Sequence, residues 1–531
     1  MPLLLEPERR LARLVADIVA ANPFLPDRVR LEREALGAAY EDEGAVRTRR
    51  PGTDTSANTL ALAALAEKLF ADVERRAASG GGAPDGDERD LLGLLGTFVL
   101  YHRFYERFDA LARSCAKEPG KVAVPWYGEF AAECERFLHV GGTRLMPDED
   151  APRLVALFFQ IARAFHQVYE RIGGRSGAAV RLRAEIWQSI FTHDLLRYRR
   201  ALQDRMAEVA TLITGPSGTG KELVAAAIGR SGHVPFDVAT RSFDLASKPL
   251  FLPLALSSLS PTLIESELFG HRRGAFTGAL DDHSGWFERC PSHGTVFLDE
   301  VGEIDGAIQV KLLRVLQTRE FERIGEHAPR RFVGRLVSAT NRDPEREIAS
   351  GRFREDLFYR ICSDRIETPS LSSLIDGDAG ELEHLLTFVT TSILGSRAGA
   401  VLDEARALAA EVADWIEAEL GLDHTWPGNF RELEQCVRAY LVRGEYRPGE
   451  ARGSTGERVG SLADDLRAGR VDANELLDRY CAQVYDEVGT FEGAARRLGL
   501  DRRTVRSRVE SARARARERA ADQSSARSAS M

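Results

Sequence analysis

The amino-acid sequence predicts an α/β core in the middle of the chain, between a mostly helical N-terminal region and a small helical C-terminal module. The core is predicted by apolar runs at residues 209–214, 295–298 and 335–340, which have the length of buried strands. Helical periodicity dominates the residues before about 185. A glycine turn between two short helical patterns after residue 489 predicts the C-terminal module.

Length and composition are typical of a multidomain globular protein. A chain of 531 residues with 44% apolar residues is expected to form roughly three to four domains. No apolar run approaches the ~18 residues of a membrane span, and the acidic Glu6 comes too early for a secretory signal. The six cysteines are scattered without a Cys-x-x-Cys pair, which predicts reduced thiols in a cytoplasmic protein. A net charge of −9 means that any nucleic-acid footprint has to be local.

The N-terminal region is expected from its position to be a regulatory domain. It shows no alternating strand pattern, so a βα receiver-type domain is not expected. Its helical patterns cover Leu11–Ala21, Thr59–Ala77, Leu91–Ala112, Tyr127–Leu138 and Ala151–Arg171. An aromatic cluster with helical spacing favours a hydrophobic core over the alternative of a ligand pocket. The cluster comprises Phe98, Tyr101, His102, Phe104, Tyr105 and Phe108.

A phosphate-binding loop is predicted directly after the first apolar run. A strand pattern leads into a glycine-rich segment that ends in a lysine and opens a helical pattern, as a P-loop requires. Glycines let backbone N–H groups converge on phosphate oxygens, and the helix dipole adds to the attraction. Lys221 is expected to reach the β- and γ-phosphates, whereas Glu222 stands where the motif usually has a Mg²⁺-binding Ser or Thr. The candidate nucleotide-binding residues here are Gly215, Pro216, Ser217, Gly218, Thr219, Gly220, Lys221 and Glu222.

Carboxylates at the end of the second apolar run form the candidate catalytic pair. We expect Asp299 to hold Mg²⁺ and Glu300 to activate the attacking water. Because ligands bind at the carboxyl ends of strands in open α/β sheets, this strand is expected beside the P-loop strand. The third run ends at Asn341, a candidate for positioning the γ-phosphate, with a turn-forming role as the alternative.

Three arginines are candidates for contact with nucleotide phosphates. Arg354 and Arg360 lie in a charged helical pattern and are candidate arginine fingers, which stabilise transition-state charge from a neighbouring subunit. Arg431 lies in the first turn of a predicted helix, where it opposes the helix dipole. We therefore expect it to have an anionic partner, and a nucleotide phosphate would serve.

A glycine-framed loop lies between the two halves of this site. Its glycines permit sharp turns that carry an aromatic tip outward. A surface turn with the phenylalanine folded back is the alternative that the residues alone favour. The loop residues are Gly274, Ala275, Phe276, Thr277, Gly278 and Ala279.

Together these segments resemble the bacterial enhancer-binding proteins, the AAA+ activators of sigma-54 RNA polymerase. The resemblance implies a parallel α/β sheet with a helical lid carrying Arg431, and a ring, usually a hexamer, with ATP between subunits. It also implies that the loop containing Phe276 and Thr277 contacts sigma-54, and that ATP turnover lets the polymerase holoenzyme open promoter DNA. The segments that carry the resemblance are GPSGTGKE (215–222), ESELFGHRRGAFTGA (265–279), GTVFLDEVGEID (294–305), VKLLRVLQ (310–317), SATNRD (338–343), GRFREDLFYR (351–360) and WPGNFRELE (426–434).

Two features depart from that family. Its asparagine that couples the catalytic glutamate to loop movement aligns with Ala255, which cannot hydrogen-bond Glu300. The switch is therefore absent or replaced by a nearby serine such as Ser257. The segment from Val234 to Lys248 is longer than usual. Both departures concern the coupling of ATP hydrolysis to loop movement, and neither affects the predicted nucleotide site.

The C-terminal module carries the basic footprint. Residues 489–519 hold ten arginines against four acidic residues, a local formal charge of +6. Asp501 is expected to cap a recognition helix in an arrangement that resembles the Fis-type helix-turn-helix, with a solvated arginine-rich helix as the alternative. The predicted core comprises Leu477, Val484, Ala494, Ala495, Leu498, Leu500, Val505 and Val509. The candidate contacts to double-stranded DNA, at an upstream enhancer site, are Arg502, Arg503, Thr504, Arg506 and Arg508.

The predicted function is ATP-dependent activation of sigma-54 polymerase by a DNA-binding protein. The alternative is an AAA+ DNA-binding regulator whose ATPase acts on another target or serves only for assembly. The predicted domains are a regulatory domain (1–185), an ATPase subdomain (186–368), a helical lid (369–443), a linker (444–470), a DNA-binding module (471–519) and a disordered tail (520–531).

Overall fold

The computed structural model describes residues 2–42, 56–80, 82–117, 120–245, 249–395, 399–448, 472–488 and 490–512. The chain divides into two compact units, Met1–Arg447 and Pro448–Met531, and each is described by itself. Most of the predicted linker and the whole predicted tail lie outside the described residues. Among the helices that are described, none is long and apolar enough to cross a membrane.

Helices dominate the N-terminal part of the first unit. Asp150 caps the last of them by accepting a hydrogen bond from the Arg153 backbone N–H at 2.9 Å, which fixes where this helix begins. The second helix was missed because its sequence is dominated by charged residues, with few apolar positions to reveal a buried face. The helices are α1 (Glu6–Ala20), α2 (Pro26–Leu36), α3 (Ala57–Ala78), α4 (Gly86–Lys117), α5 (Tyr127–Phe137) and α6 (Ala151–Arg171). Three short strands accompany them, β1 (Lys121–Ala123), β2 (His139–Val140) and β3 (Thr143–Arg144).

The aromatic cluster on α4 contributes to the hydrophobic core, as predicted, and part of it also borders a cavity. Phe104 and Phe108 pack in the core, with ring centroids 5.1 and 5.9 Å from that of Phe130. Tyr101 and Tyr105 also line a cavity. Spacing along a helix identifies neighbouring residues but does not reveal whether the opposite surface is close enough to fill the space.

A five-stranded parallel sheet forms the centre of the first unit, which confirms the predicted α/β core. Its strand order is β11-β4-β10-β7-β6. The central strands are buried along their whole length, so they read as continuous apolar runs. The strands after the N-terminal helices are β4 (Thr211–Thr214), β5 (Ser242–Asp244), β6 (Phe251–Ala255), β7 (Thr295–Asp299), β8 (Glu320–Phe321), β9 (Arg330–Arg331), β10 (Arg335–Thr340) and β11 (Asp364–Glu367).

Helices surround the sheet and continue into the lid. Helix α7 crosses residue 185, where the sequence suggested a domain boundary, and Ala179 on it belongs to the lid core. The helices around the sheet are α7 (Gly177–Phe191), α8 (Leu195–Arg197), α9 (Lys221–Gly229), α10 (Pro261–Phe269), α11 (Trp286–Arg289), α12 (Gly306–Thr318), α13 (Pro344–Ala349) and α14 (Glu355–Ile361). The lid helices are α15 (Leu371–Ile375), α16 (Ala379–Leu394), α17 (Ala400–Glu419) and α18 (Asn429–Arg443).

The N-terminal helices are docked on the α/β core rather than tethered to it. Strand β1 pairs antiparallel with β5, and Phe159 stacks on Phe243 at 4.3 Å between ring centroids. Strand β5 belongs to the segment 234–248, which the resemblance predicts to be longer than usual and of which residues 246–248 lie outside the described residues. This segment supplies a contact with the N-terminal helices.

The second unit contains three described helices around a small core. They are α19 (Ala473–Val488), α20 (Phe491–Leu498) and α21 (502–512). Gly499 has φ +65°, which supports the turn between the last two, and Asp501 caps α21 by accepting from the Thr504 backbone N–H at 2.9 Å. The predicted core residue Leu477 is exposed, whereas Cys481, which was not predicted, is fully buried. They lie four residues apart on the same face of α19, and the packing at the edge of that face decides which of them is covered.

Candidate functional site

The glycine-rich loop between β4 and α9 has a backbone that only glycine accommodates well. Gly215, Gly218 and Gly220 have φ of +143°, +77° and +87°. A Cβ atom at Gly215 would lie 2.2 Å from the Thr368 hydroxyl oxygen, and one at Gly218 would lie 2.3 Å from the Gly428 carbonyl oxygen. The loop is therefore enclosed by the end of β11 and by the lid, which bring the backbone close to anything bound in it.

Lys221 begins α9 and is held inside this loop. Its ammonium donates hydrogen bonds to the Gly215 and Pro216 carbonyl oxygens, both at 3.0 Å. Burial lowers the pKa of Lys221, while the nearby Glu300 and Asp299 carboxylates raise it. The ammonium thus lies between the glycine loop and the predicted catalytic acids, where it can bind a phosphate oxygen.

The acid pair lies at the end of β7, two strands from the P-loop strand. The expectation that β7 lies beside β4 was wrong, because β10 is inserted between them. Asn341 therefore follows the strand that separates the loop from the acids, and its backbone N–H donates to the Glu300 side chain at 3.3 Å. This contact brings two predicted site residues together.

Glu300 itself adopts a backbone conformation that is uncommon for a non-glycine residue. Its φ is +59° and its ψ is +50°, in the left-handed region. Such a conformation costs on the order of 1 kcal/mol and is concentrated at functional sites. It turns the chain sharply after Asp299 and places both half-buried carboxylates at the same edge of the sheet.

Ala255 lies next to the acid pair, as its alignment predicts. It is the register partner of Asp299 in the parallel pairing of β6 and β7. Its methyl group cannot hydrogen-bond a carboxylate. Among the described residues, Ser257 makes no hydrogen bond to Glu300, and the hydroxyl of Ser258 donates to the Ala255 carbonyl oxygen at 2.8 Å. No nearby serine replaces the missing asparagine in this conformation.

The lid contacts the glycine loop through the start of α18. Arg431 donates to the Ser217 hydroxyl at 3.1 Å, and the Phe430 backbone N–H donates to the Gly218 carbonyl oxygen at 3.0 Å. The Asn429 side chain donates to the Ser217 carbonyl oxygen at 2.9 Å and accepts from the Leu371 backbone N–H at 2.8 Å.

Asn429 and Thr368 are site residues that sequence reasoning missed. Asn429 has φ +50°, and an asparagine just before a predicted helix was the available signal for a left-handed residue. Thr368 lies within hydrogen-bonding distance of Thr219 at 2.6 Å and its backbone N–H donates to Thr214 at 2.8 Å. No sequence signal identifies it, since it meets the loop only through strand pairing.

Both candidate arginine fingers lie at the surface, at opposite ends of α14. Arg354 donates two hydrogen bonds to Asp356, at 3.0 and 2.7 Å, and this partner raises the pKa of the guanidinium. Arg360 is also exposed. Within the described part of the chain, neither side chain hydrogen-bonds to the loop 215–221 of its own molecule. Both are accessible to a second copy.

The glycine-framed loop forms a closed turn. Gly274 and Gly278 have φ of +80° and +104°, and the Gly274 backbone N–H donates to the Ala279 carbonyl oxygen at 2.9 Å. Phe276 is half-buried, with its ring centroid 4.9 Å from that of His271, so it is partly folded back. Thr277 is exposed at the tip. The tip can therefore meet a partner, and Phe276 would have to leave His271 to do so with its whole ring.

The base of this loop is fixed by charged and backbone contacts. Arg272 pairs with Asp282 and lies 3.5 Å from Glu326, and its backbone N–H donates to Ile324 at 3.0 Å. A Cβ atom at Gly325 would lie 3.0 Å from that of Ala275, so a neighbouring turn packs against the loop. The base is thus held by Asp282, which precedes β7, and by residues 324–326, which follow it, while the tip is exposed.

The predicted DNA-contacting residues differ in how free their side chains are. Arg502 and Arg503 are exposed at the start of α21. Arg508 donates to the buried carboxylate of Asp478 at 2.9 Å, so it connects α21 to α19. Arg506 donates to Glu510 at 2.9 Å. The first turn of α21 is therefore the part most available to DNA phosphates or bases.

Comparison with known proteins finds similarity to one domain family and to several of its members. Residues 190–367 match the family model described as the sigma-54 interaction domain. The Nif-specific regulatory protein of Azotobacter vinelandii is 41% identical over 251 residues, which are 46% of this chain and 43% of that protein. The DNA-binding transcriptional regulator NtrC of Salmonella typhimurium is 36% identical over 259 residues, 47% of this chain and 50% of that protein.

The matches to curated relatives are partial in length. This chain spans about half or less of the length of these two relatives. Among solved structures, NtrX from Brucella abortus aligns with 72% of this chain and 79% of that chain at 23% identity, with a TM-score of 0.37.

Proposed function

We propose that this chain, whose residues 190–367 match the sigma-54 interaction domain, is a sigma-54-dependent activator that hydrolyses ATP to remodel sigma-54 RNA polymerase at promoters. One observation carries the proposal. The glycine loop, Lys221 and the acid pair of Asp299 and Glu300 converge at the carboxyl edge of one sheet, in a domain that also presents the exposed Thr277 loop. This combination supplies both an ATPase site and an output surface.

The nucleotide fits the loop through its phosphates. Backbone N–H groups at the start of α9 and the Lys221 ammonium bind anionic oxygens, which the helix dipole also favours. The lid would complete the site because Arg431 already lies against Ser217. In this arrangement Lys221 exchanges its bonds to loop carbonyls for bonds to phosphate oxygens.

The acid pair fits a divalent cation and a water molecule. Carboxylate oxygens are the ligands that Mg²⁺ prefers, and Asp299 would hold the ion directly or through water. When bound, Mg²⁺ neutralises charge on the transferring phosphoryl group. Glu300 accepts a proton from the attacking water, and the hydrogen bond from the Asn341 backbone orients its carboxylate.

Completion of the site requires a second copy of the chain. Arg354 and Arg360 are exposed and have the charge that the transition state needs. We place them in the site of a neighbouring subunit, which makes ATP turnover depend on a ring, with a hexamer as the expected size. Arg354 pairs with Asp356 in the single chain, and in the ring it would release Asp356 and bind a phosphate oxygen of the neighbouring subunit's nucleotide.

The second unit would attach this ATPase to DNA. Arg502, Arg503 and Thr504 lie in the first turns of α21, where a recognition helix presents its side chains to base edges and phosphates. Arg508 has a different role in this proposal, since its pairing with Asp478 holds the helices together. Binding at an upstream enhancer site would concentrate the subunits and favour ring assembly, within the cytoplasm where the polymerase works.

The test is formation of a complex with purified sigma-54, trapped with ADP and aluminium fluoride as a transition-state analogue. We expect a complex that requires the analogue and is lost in Thr277→Ala. Thr387→Ala is the matched control, because that hydroxyl only bonds to its own helix at Glu383, 2.9 Å away. A complex that survives Thr277→Ala would refute the assigned contact.

A second candidate function keeps the ATPase and changes its target. It is favoured by Ala255, which leaves the acid pair without the family's asparagine. The same experiment separates the two, since ATP turnover without any sigma-54 complex would support the other target.

A further inference from the structure

Gln309 is a buried polar side chain that the proposed function does not use. It is 1% exposed and lies in the first turn of α12, the helix that Asp305 caps. Burying an amide costs free energy unless its hydrogen-bonding groups have partners. The identity of those partners therefore shows what this side chain holds together.

The partners of Gln309 are backbone groups of two segments that carry proposed catalytic groups. Its Nε2 group donates to the Ile304 carbonyl oxygen at 3.1 Å and to the Arg352 carbonyl oxygen at 2.9 Å. Its Oε1 atom accepts from the Arg354 backbone N–H at 2.8 Å. Because a flipped amide would set its oxygen against two carbonyl oxygens, these contacts define one orientation of the side chain.

One partner directly follows the turn that begins at the proposed base. The Glu303 backbone N–H donates to the Glu300 carbonyl oxygen at 2.9 Å, which closes this turn, and Ile304 comes next. The Glu303 carboxylate also pairs with Arg342 at 2.6 Å. The turn is therefore held by several contacts, and Gln309 adds one more.

The other two partners lie at the start of α14. Arg354 is the N-cap residue of this helix, and its guanidinium has no acceptor atom with which to cap it. Its backbone N–H is one of the four at a helix start that have no partner inside the helix, and Gln309 supplies the acceptor. Behind this contact, Leu357 of α14 is fully buried in the same core as Leu312 of α12. The backbone of Arg354 is thus anchored to α12.

The two partners on this segment differ in what else holds them. The Arg352 guanidinium pairs with Glu347 at 2.6 Å, so Arg352 has an attachment besides Gln309. For the Arg354 backbone N–H, Gln309 is the acceptor that the described part of the chain supplies. Loss of the Gln309 amide is therefore expected to affect Arg354 most.

We propose that Gln309 is a positioning residue for ATP hydrolysis in the neighbouring subunit. It holds the backbone of Arg354 in the place from which that side chain reaches the neighbour's nucleotide. The inference rests on the proposed function, in which Arg354 acts across the subunit boundary and Glu300 activates water. Since the Gln309 side chain is buried among its backbone partners, its effect on the chemistry passes through Arg354.

The contact itself is tested by hydrogen exchange of the Arg354 backbone amide in the full chain without nucleotide, resolved by mass spectrometry. Gln309→Met keeps the length of the side chain and removes its polar groups, so we expect exchange to be about tenfold faster or more. Gln317→Met is the matched control, because Gln317 is exposed near the other end of α12. Equal exchange rates in wild type and Gln309→Met would overturn the inference.

The role in the neighbour's site is tested by mixing two variants that are each inactive in the proposed mechanism. Glu300→Gln subunits lack the base and keep Arg354, whereas Arg354→Ala subunits lack the finger and keep Glu300. A mixed ring recovers hydrolysis where a Glu300→Gln subunit gives its arginine to an Arg354→Ala subunit. Carried by the Glu300→Gln subunits, Gln309→Met should lower the recovered rate at saturating ATP by about tenfold or more, because a misplaced group loses much of its effect.

The same substitution in the other subunits separates positioning from folding. In the Arg354→Ala subunits, Gln309→Met should lower the recovered rate by less than about threefold, because the turn after Glu300 keeps its other contacts. Equal losses in both placements would show a general role in the fold and would overturn the inference. If Gln309→Met subunits unfold, Gln309→Ala takes their place, since a water molecule can then bond to the freed backbone groups.

Failure of the proposed function gives a different result from failure of this inference. A mixture without Gln309→Met that shows no recovery would overturn the action of Arg354 across the subunit boundary, and the role of Gln309 with it. Recovery that survives Gln309→Met in the Glu300→Gln subunits would overturn the role of Gln309 alone.

Discussion

The two ends of α9 are held by different chemistry. At its N-terminal end, the glycine loop and Lys221 form a site that fits a phosphate. At its C-terminal end, the buried Arg163 guanidinium donates to the Arg230 carbonyl oxygen at 2.9 Å and to that of Gly232. Both ends follow the helix dipole, which favours an anion at the first turn and a cation at the last.

The two ends of α9 differ in the groups that bond to them. At the N-terminal end Lys221 bonds to carbonyl oxygens of its own loop, whereas at the C-terminal end Arg163 of α6 bonds to the carbonyl groups of Arg230 and Gly232. Burial lowers the pKa of Arg163 to about 10, which still leaves it charged at neutral pH.

The largest expected effect is on chemistry at the nucleotide end. Glu300→Gln removes the carboxylate that accepts the proton, so we expect ATP hydrolysis to fall about 100- to 1,000-fold. Affinity for ATP should change less than about threefold, because the glycine loop is untouched. Steady-state hydrolysis and equilibrium nucleotide binding provide the two measurements, with Glu303→Gln as the control. Equal losses in both variants would show that Glu300 is not the base.

Removing the Lys221 ammonium at the same end should weaken ATP binding itself rather than the hydrolysis step. Lys221→Ala is expected to weaken ATP binding about 100-fold, since a charge-assisted contact to phosphate is lost. Titration with a fluorescent ATP analogue measures this, and Lys311→Ala is the control because Lys311 pairs with Glu265 elsewhere. Normal ATP affinity in Lys221→Ala would contradict the phosphate site.

At the C-terminal end of α9, a substitution should lower the stability of the fold and leave the affinity for ATP unchanged. Arg163→Met removes two partly buried hydrogen bonds to carbonyl groups, so we expect the free energy of unfolding to fall by about 2 kcal/mol. ATP affinity should stay within about threefold of wild type, as the two ends are separate sites. Urea unfolding and ATP titration test both statements. A loss of affinity comparable to that of Lys221→Ala would show that the ends act as one site.

The smallest expected effect is a pH dependence of the free energy of unfolding, caused by His233 shortly after the C-terminal end of α9. Burial lowers the pKa of His233 to about 4, so the folded chain holds this imidazole neutral. Between pH 6.5 and pH 4 the unfolded chain binds the proton and the folded chain does not, so stability falls as pH falls. From pH 6.5 to 5.5 the expected loss is about 1 kcal/mol.

The comparison of wild type with His233→Gln isolates this contribution. His384 also has a pKa lowered to about 4 by burial and contributes in the same window, so only the difference between the two proteins is informative. Urea unfolding at pH 6.5 and 5.5 gives that difference. Equal pH dependence in both proteins would mean that His233 titrates alike in the folded and unfolded chain.

The α/β core and the glycine loop followed from the sequence because they depend on neighbouring residues. Positive φ at Gly215, Gly218 and Gly220, the buried strand β4 and the lysine that opens α9 are all local features. A local pattern of residue types is sufficient to specify them. The cap at Asp501 belongs to the same class.

Only the tertiary structure decided which distant residues meet. The insertion of β10 between β4 and β7, the contact of Asn429 with Ser217, and the pairing of Arg508 with Asp478 all join segments far apart in the chain. The cavity is the extreme case, since the spacing of aromatic residues on α4 is the same whether the opposite wall touches them or not. Packing between separate elements determines whether that space is filled, and no local pattern encodes the distance between two walls.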